Sequence, residues 1–225
     1  MSSPWIFSRP VDLAVFGGSA ALSLVALFVG HLLGVLHQTS PGWTWVAAVL
    51  LTDVAHVYLT FFRVYLDPDE RRRHPARYTL IPALAFVLGA ALYRAGPSVF
   101  WRALAYTAVF HFVRQQAGWM KLYHRRAPGL PRWRRTLDLA AVYLGAVYPL
   151  AWWHAHLPRR FEWFVEGDFA ALPEAVARVV GVVYVLTLGA YAVLSLLAWA
   201  TGQRAQAGRD LLVLTTAACW YLGIM

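Results

Sequence analysis

Charged residues are scarce in this chain of 225 residues. Asp, Glu, Lys and Arg together make up 14% of it, where soluble domains carry about 25%. Apolar side chains make up 60%, and the mean hydropathy is +0.51. That imbalance excludes an ordinary water-soluble domain of this length. Cysteine is nearly missing as well. Cys219 is the one cysteine and lies in an apolar run, so neither an intramolecular disulfide nor a thiolate metal cluster can form. It reads as a small packing residue. HExxH, a glycine-rich phosphate loop, GxSxG and CxxC are absent, so the chemistries those motifs carry have no footing here. The clustered HxxxH and HxxHH boxes of membrane desaturases and hydroxylases are absent too. The opening MSSPWIFSRP lacks a short apolar core followed by a small-residue cleavage site, so the first apolar run reads as a retained helix.

The chain does hold apolar runs, seven of them, at residues 11–36, 43–66, 78–93, 99–123, 137–157, 176–201 and 211–225. A bilayer-spanning helix needs about 20 residues, and the third and seventh runs are short enough to need support from neighbours. Pro and Gly mark the joints at Pro41-Gly42, Gly96-Pro97, Pro128-Gly129, Pro131, Pro158 and Pro173. The expected fold is therefore an all-α helical membrane bundle of about seven spans, with residues 1–225 forming one integral-membrane domain.

The net charge of +9 would fit nucleic acid if the basic residues formed one patch. They lie instead in short loops between apolar runs, as membrane topology requires, so nucleic acid is not an expected partner. With the N-terminus in the cytoplasm, that side collects Arg9, the loop 63–77, the loop 121–135, Arg204 and Arg209, which hold 14 basic residues. The other side has five: Arg94, Arg102, Arg159, Arg160 and Arg178. The bias predicts a multi-pass protein of an inner membrane, N-terminus inside. Trp43, Trp45, Trp101, Trp152 and Trp153 then fall at the outer interface. The outer loop 161–175, with Glu162, Glu166, Asp168 and Glu174 among aromatics, reads as an interfacial or short amphipathic segment.

Polar residues within apolar runs are costly in a membrane and mark candidate sites. The second run contains LTDVAHVYLTFFR, which puts Asp53, His56 and Thr60 on one helical face. The fourth contains VFHFVRQQAGWMKLYHRR, with Thr107, His111, Gln115 and Gly118 on one stripe and Arg114 beside it. His56 follows Trp43 by 13 residues and His111 follows Val99 by 12, placing both about 18–20 Å along parallel paths. Two histidines at matched depth with a carboxylate one turn away have the make-up of a metal site. The leading expectation is a metal-dependent oxidative enzyme for a lipid-soluble substrate such as an isoprenoid or acyl chain. Non-haem iron would be held by His56 and His111, with Asp53 as a ligand or as the carboxylate orienting His56. Arg114 and Gln115 would hydrogen-bond substrate or oxygen species, and Arg114 is expected to contact Asp53 or a bound anion. A b-type haem on His56 and His111, a proton or solute path, and a non-catalytic membrane subunit with structural ion pairs remain open alternatives.

A second polar layer comprises Arg63, Asp67, His74, Lys121, Tyr123, His124 and Asp138. Its plain reading is a solvated, headgroup-facing surface. The sharper one folds His74 and His124 beneath the bundle as further metal ligands. His154 and His156, two residues apart, lie on different helical faces and make a poor metal pair. The scatter of single histidines over separate helices resembles that of membrane carotenoid-cleaving oxygenases. The likeness is confined to that scatter; no motif aligns, and no family is assigned on it.

Overall fold

The computed structural model describes residues 3–36, 38, 42–44, 46–47, 51, 54–158, 164–202 and 206–225. Asp53, His37, Trp45, Arg159, Arg160, Glu162, Arg204 and the His56 side chain lie outside the described residues. Every regular element among the described residues is helical: α1 (Arg9–Leu32), α2 (Ala55–Thr60), α3 (Pro68–Arg73), α4 (Pro75–Ala95), α5 (Pro97–Arg126), α6 (Arg132–Ala155), α7 (Glu174–Ala200) and α8 (Ala207–Ile224). Proline opens several of them. Pro10, Pro68, Pro75 and Pro97 sit in first turns, where the missing N–H would have had no intrahelical partner.

Among the described residues, three helices are long and apolar enough to cross a membrane: α1, α4 and α7. The seven apolar runs are thus matched by three spans that pass on length and composition alone. α5, α6 and α8 coincide with further runs, but polar and aromatic side chains dilute them.

The chain divides into two compact units, Met1–Leu33 with Trp101–Met225, and Gly34–Phe100. The second contains no buried side chain among its described residues. Its α2 continues through a wider turn, Phe61–Tyr65. Asp67 then caps α3 by accepting from the N–H groups of Asp69 and Glu70 at 2.9 and 3.2 Å. Glu70 accepts from Tyr78 (2.6 Å) and pairs with Arg73 (3.1 Å), joining α3 to α4. Leu80, Ile81, Leu84, Phe86, Val87 and Leu88 of α4 are all exposed. A helix apolar all round is made for an apolar surrounding.

The larger unit packs α1, α6, α7, α8 and the greater part of α5. One apolar cluster joins Phe16 of α1, Met120 and Tyr123 of α5, Val142 of α6, Tyr191 of α7 and Leu212 of α8. A second, toward the other end, joins Ala105 and Val113 to Ala146, Leu150, Trp153 and Phe169. Small residues allow the close crossings. A Cβ added to Gly145 of α6 would lie 3.5 Å from Ala217 of α8. The α5–α6 turn is held by one side chain: Arg135 donates to the carbonyls of Leu130, Ala127 and Pro128 at 3.0, 3.1 and 2.9 Å.

The tightest approach is at Gly208, where a Cβ would strike the Tyr123 ring and come 2.5 Å from the Pro4 carbonyl oxygen. Gly208→Ala is therefore expected to lower stability by about 1–3 kcal/mol, read as a fall in thermal midpoint of the purified protein. Gly189→Ala, where a Cβ meets nothing within 4 Å, should be neutral or stabilising by up to about 1 kcal/mol.

Candidate functional site

Two faces of α5 divide its polar residues. Ala105, Val113, Ala117 and Met120 turn into the bundle, at 0–7% exposure. Thr107, His111, Arg114, Gln115, Gly118 and Lys121 form an exposed stripe, at the spacing of three and four that helical geometry dictates. These residues thus form one coherent face of α5 and not a scatter. Arg114 is anchored on it: Nη1 donates to Tyr143 Oη of α6 at 2.6 Å. The sequence pointed to Asp53 as its partner, and Asp53 lies outside the described residues. The His111 ring stands edge-on to Phe112, with centroids 5.9 Å apart. Gln116, one residue on, turns about 100° away and accepts from Thr216 of α8 at 3.3 Å. It lines a cavity of about 150 Å³ with Ser19, Ser23, Thr215, Thr216 and Cys219.

At one end of the larger unit lies a cluster of buried charged residues. Asp138, in the second turn of α6, is fully buried. His124 Nε2 of α5 is 3.0 Å from its Oδ2, and Arg209 Nη1 of α8 is 2.6 Å from the same oxygen. Arg134 Nε, one turn before, is 3.1 Å from Oδ1. A carboxylate only accepts, so His124 carries its proton on Nε2 in this pair. Arg134 extends the network into α7: it lies over the Tyr191 ring at 4.7 Å and donates to Ser195 Oγ at 3.1 Å. Ser195 in turn donates to Asp210 of α8 at 2.8 Å, as do Tyr191 and the Trp199 indole.

Beside this network, Asp12 of α1 is also fully buried. It accepts from the N–H groups of Ile6 and Phe7 and from Tyr123 Oη at 2.8, 3.1 and 2.8 Å. Arg126 donates to the Ile6 carbonyl at 2.8 Å. The solvated surface expected for Tyr123, His124 and Asp138 is therefore replaced by burial. Asp12, Arg134, Ser195, Arg209 and Asp210 went unmarked as site residues in the sequence. One signal was available: Asp12, Asp138 and Asp210 each fall within two residues of the start of an apolar run.

The opposite end is closed by residues 164–173, which follow an irregular path without helix. Arg102 donates to the Gly167 carbonyl at 2.7 Å, and Asp168, buried, accepts from the Phe164 N–H at 2.9 Å. His154 Nδ1 is 2.7 Å from the Leu150 carbonyl and must donate to it. Its Nε2 then accepts from Tyr106 Oη at 3.2 Å, while Tyr106 accepts from the Ala170 N–H at 3.0 Å. His156 stacks on Trp152 instead, with centroids 4.1 Å apart. The two histidines point to different surroundings, as their spacing requires.

Of the residues singled out as metal ligands, His111 and His124 belong to one helix, thirteen residues and about 20 Å apart. His124 is engaged by Asp138. His74 is exposed at the end of α3, with its ring edge-on to Tyr78. Among the described residues, no three His, Cys, Asp or Glu side chains converge as they would around a metal ion. No protein-family model matches the chain, and no curated protein or solved structure compared with it matches either.

The network makes a quantitative claim. Asp138→Ala leaves Arg134 and Arg209 buried without their carboxylate, and is expected to cost about 3–5 kcal/mol. Adding Arg209→Met should restore part of that loss, because the two side chains act as one unit. Thermal or denaturant midpoints of the three variants check both statements; strictly additive losses would contradict the shared-carboxylate geometry.

Proposed function

We propose that this chain is a multi-pass protein of an inner membrane, with seven spans and a cytoplasmic N-terminus, whose working site is the polar face of α5. One observation carries the reading. α5 buries its apolar face in the bundle and turns Thr107, His111, Arg114 and Gln115 outward. An arginine facing hydrocarbon costs at least about 2.5–3.5 kcal/mol on insertion scales, so in a membrane this face calls for a polar counterpart. The Arg114–Tyr143 hydrogen bond holds the guanidinium in place for such a partner. The chemistry offered is recognition of an oxygen-bearing or anionic group on a lipid-soluble molecule.

The finer proposal is a metal-dependent oxidative enzyme, with iron held by His111 together with His56 and Asp53. Arg114 and Gln115 would orient the substrate. His124 is left to its structural carboxylate in this reading. Metal analysis and a visible spectrum of the purified protein test it: non-haem iron in stoichiometric amount supports it, and a Soret band would replace it with the haem alternative. His56→Ala and His111→Ala are each expected to abolish bound iron, with the double variant no worse than either.

Orientation has its own test. Cysteines introduced singly at the exposed positions Arg71, Arg72, Pro128 and Gly129, within the basic segments 63–77 and 121–135, should resist membrane-impermeant labelling in intact cells, since the basic residues concentrate there. Labelling of either segment from outside would overturn the N-inside topology.

A further inference from the structure

A groove between α6 and α7 is left unused by everything above. It encloses about 620 Å³, within the range of about 300–1,000 Å³ typical of small-molecule sites. Its walls are Tyr148 and Trp152 on one side and Val182, Val185 and Leu186 on the other. Gly181 opens it: a Cβ there would lie 2.8 Å from Tyr148 Cε2, so the ring can lie flat against α7 only because that position is glycine. Tyr148 is further fixed by stacking on Tyr184, with centroids 4.6 Å apart.

The groove is not uniformly apolar. Glu174, the first residue of α7, and Arg178, one turn later, belong to its lining, as does His156 at the end of α6. Glu174 and Arg178 share a helical face, yet neither side chain has an ion-pair or hydrogen-bond partner among the described residues. One end therefore presents a carboxylate and a guanidinium side by side, above an apolar channel. That is the complement of an amphipathic molecule whose head carries one positive and one negative charge.

We infer that this groove binds a phospholipid with a phosphoethanolamine headgroup. The phosphate is taken by Arg178, whose planar fork suits phosphate oxygens. The primary ammonium donates to Glu174, and an acyl chain lies along Val182, Val185 and Leu186. His156 closes the mouth, held in position by its stack on Trp152 and by the Trp152 carbonyl, 2.7 Å from its Nδ1. A phosphatidylglycerol head would satisfy Arg178 but leave Glu174 without a cation. A phosphocholine head has no N–H to donate to it.

The inference rests on the membrane reading proposed above, which recovery of the full chain in the membrane fraction checks separately. The test itself uses protein extracted from membranes and exchanged into detergent with phosphatidylethanolamine, phosphatidylglycerol or phosphatidylcholine of identical acyl chains. Lipid retained by the intact protein is then read by native mass spectrometry. Phosphatidylethanolamine is expected to be retained about tenfold better than phosphatidylglycerol, the worth of one charge-assisted hydrogen bond. Glu174→Gln should erase that preference while keeping phosphatidylglycerol bound, and Arg178→Gln should weaken both lipids. Val182→Trp, at a position 60% exposed and so safe for folding, should plug the channel and release all three. Equal retention of the three headgroups, or retention indifferent to Glu174→Gln and Val182→Trp, would overturn the assignment.

Discussion

The Asp138 carboxylate is the interaction on which the larger unit depends. It is fully buried, and its charge is met from three directions by His124, Arg134 and Arg209. A single buried carboxylate is expensive to desolvate and is tolerated only when its partners arrive in good geometry. Those partners come from α5, from α6 itself and from α8, and Arg134 passes the constraint to α7 through Ser195 and Asp210. The apolar clusters alone would permit many sliding arrangements of such helices. The shared carboxylate selects one register, because a shift of even one residue would strand a charge.

With that end fixed, the rest of the unit sorts by chemistry along its length. Ionic contacts hold one end, small residues such as Gly145 and Ala217 bring the middle together, and aromatic packing of Trp153, Phe169 and Tyr106 closes the other. α5 runs through all three zones. Its inward face follows each zone in turn, from Tyr123 and His124 through Ala117 to Ala105. Its outward face carries His111, Arg114 and Gln115 in exposed positions, with Arg114 tied back to α6 through Tyr143.

Much of the fold was legible in the sequence, because hydropathy runs and proline punctuation report helices directly. The run 78–93 lies inside α4 and the run 99–123 inside α5. What hydropathy could not show was how far helices continue past the apolar runs. Backbone hydrogen bonding does not stop where side chains become polar, so α5 carries on to Arg126 and α6 begins at Arg132. Residues such as Tyr123, His124 and Arg134 looked like parts of a wet loop for that reason, although they are packed turns of helix. Spacing alone places His111 and Gln115 on one helical face, but it does not say what that face meets, and the structure leaves it exposed. The pairings of Asp138 with Arg209 and of Asp12 with Tyr123 were not legible, because they join residues 71 and 111 apart in sequence, and no local pattern encodes such pairings.

Gly208 and Arg209 adjoin at the start of α8, the last of the described helices to leave the ribosome. Gly208 is where Tyr123 and the Pro4 carbonyl meet the helix, and Arg209 gives Asp138 its closest contact, at 2.6 Å. Until those two residues are made, neither the amino-terminal segment nor the Asp138 carboxylate has its final neighbour. Assembly of this end is thus timed by chain order: the earlier helices can associate loosely as they emerge, and they lock together only when α8 arrives.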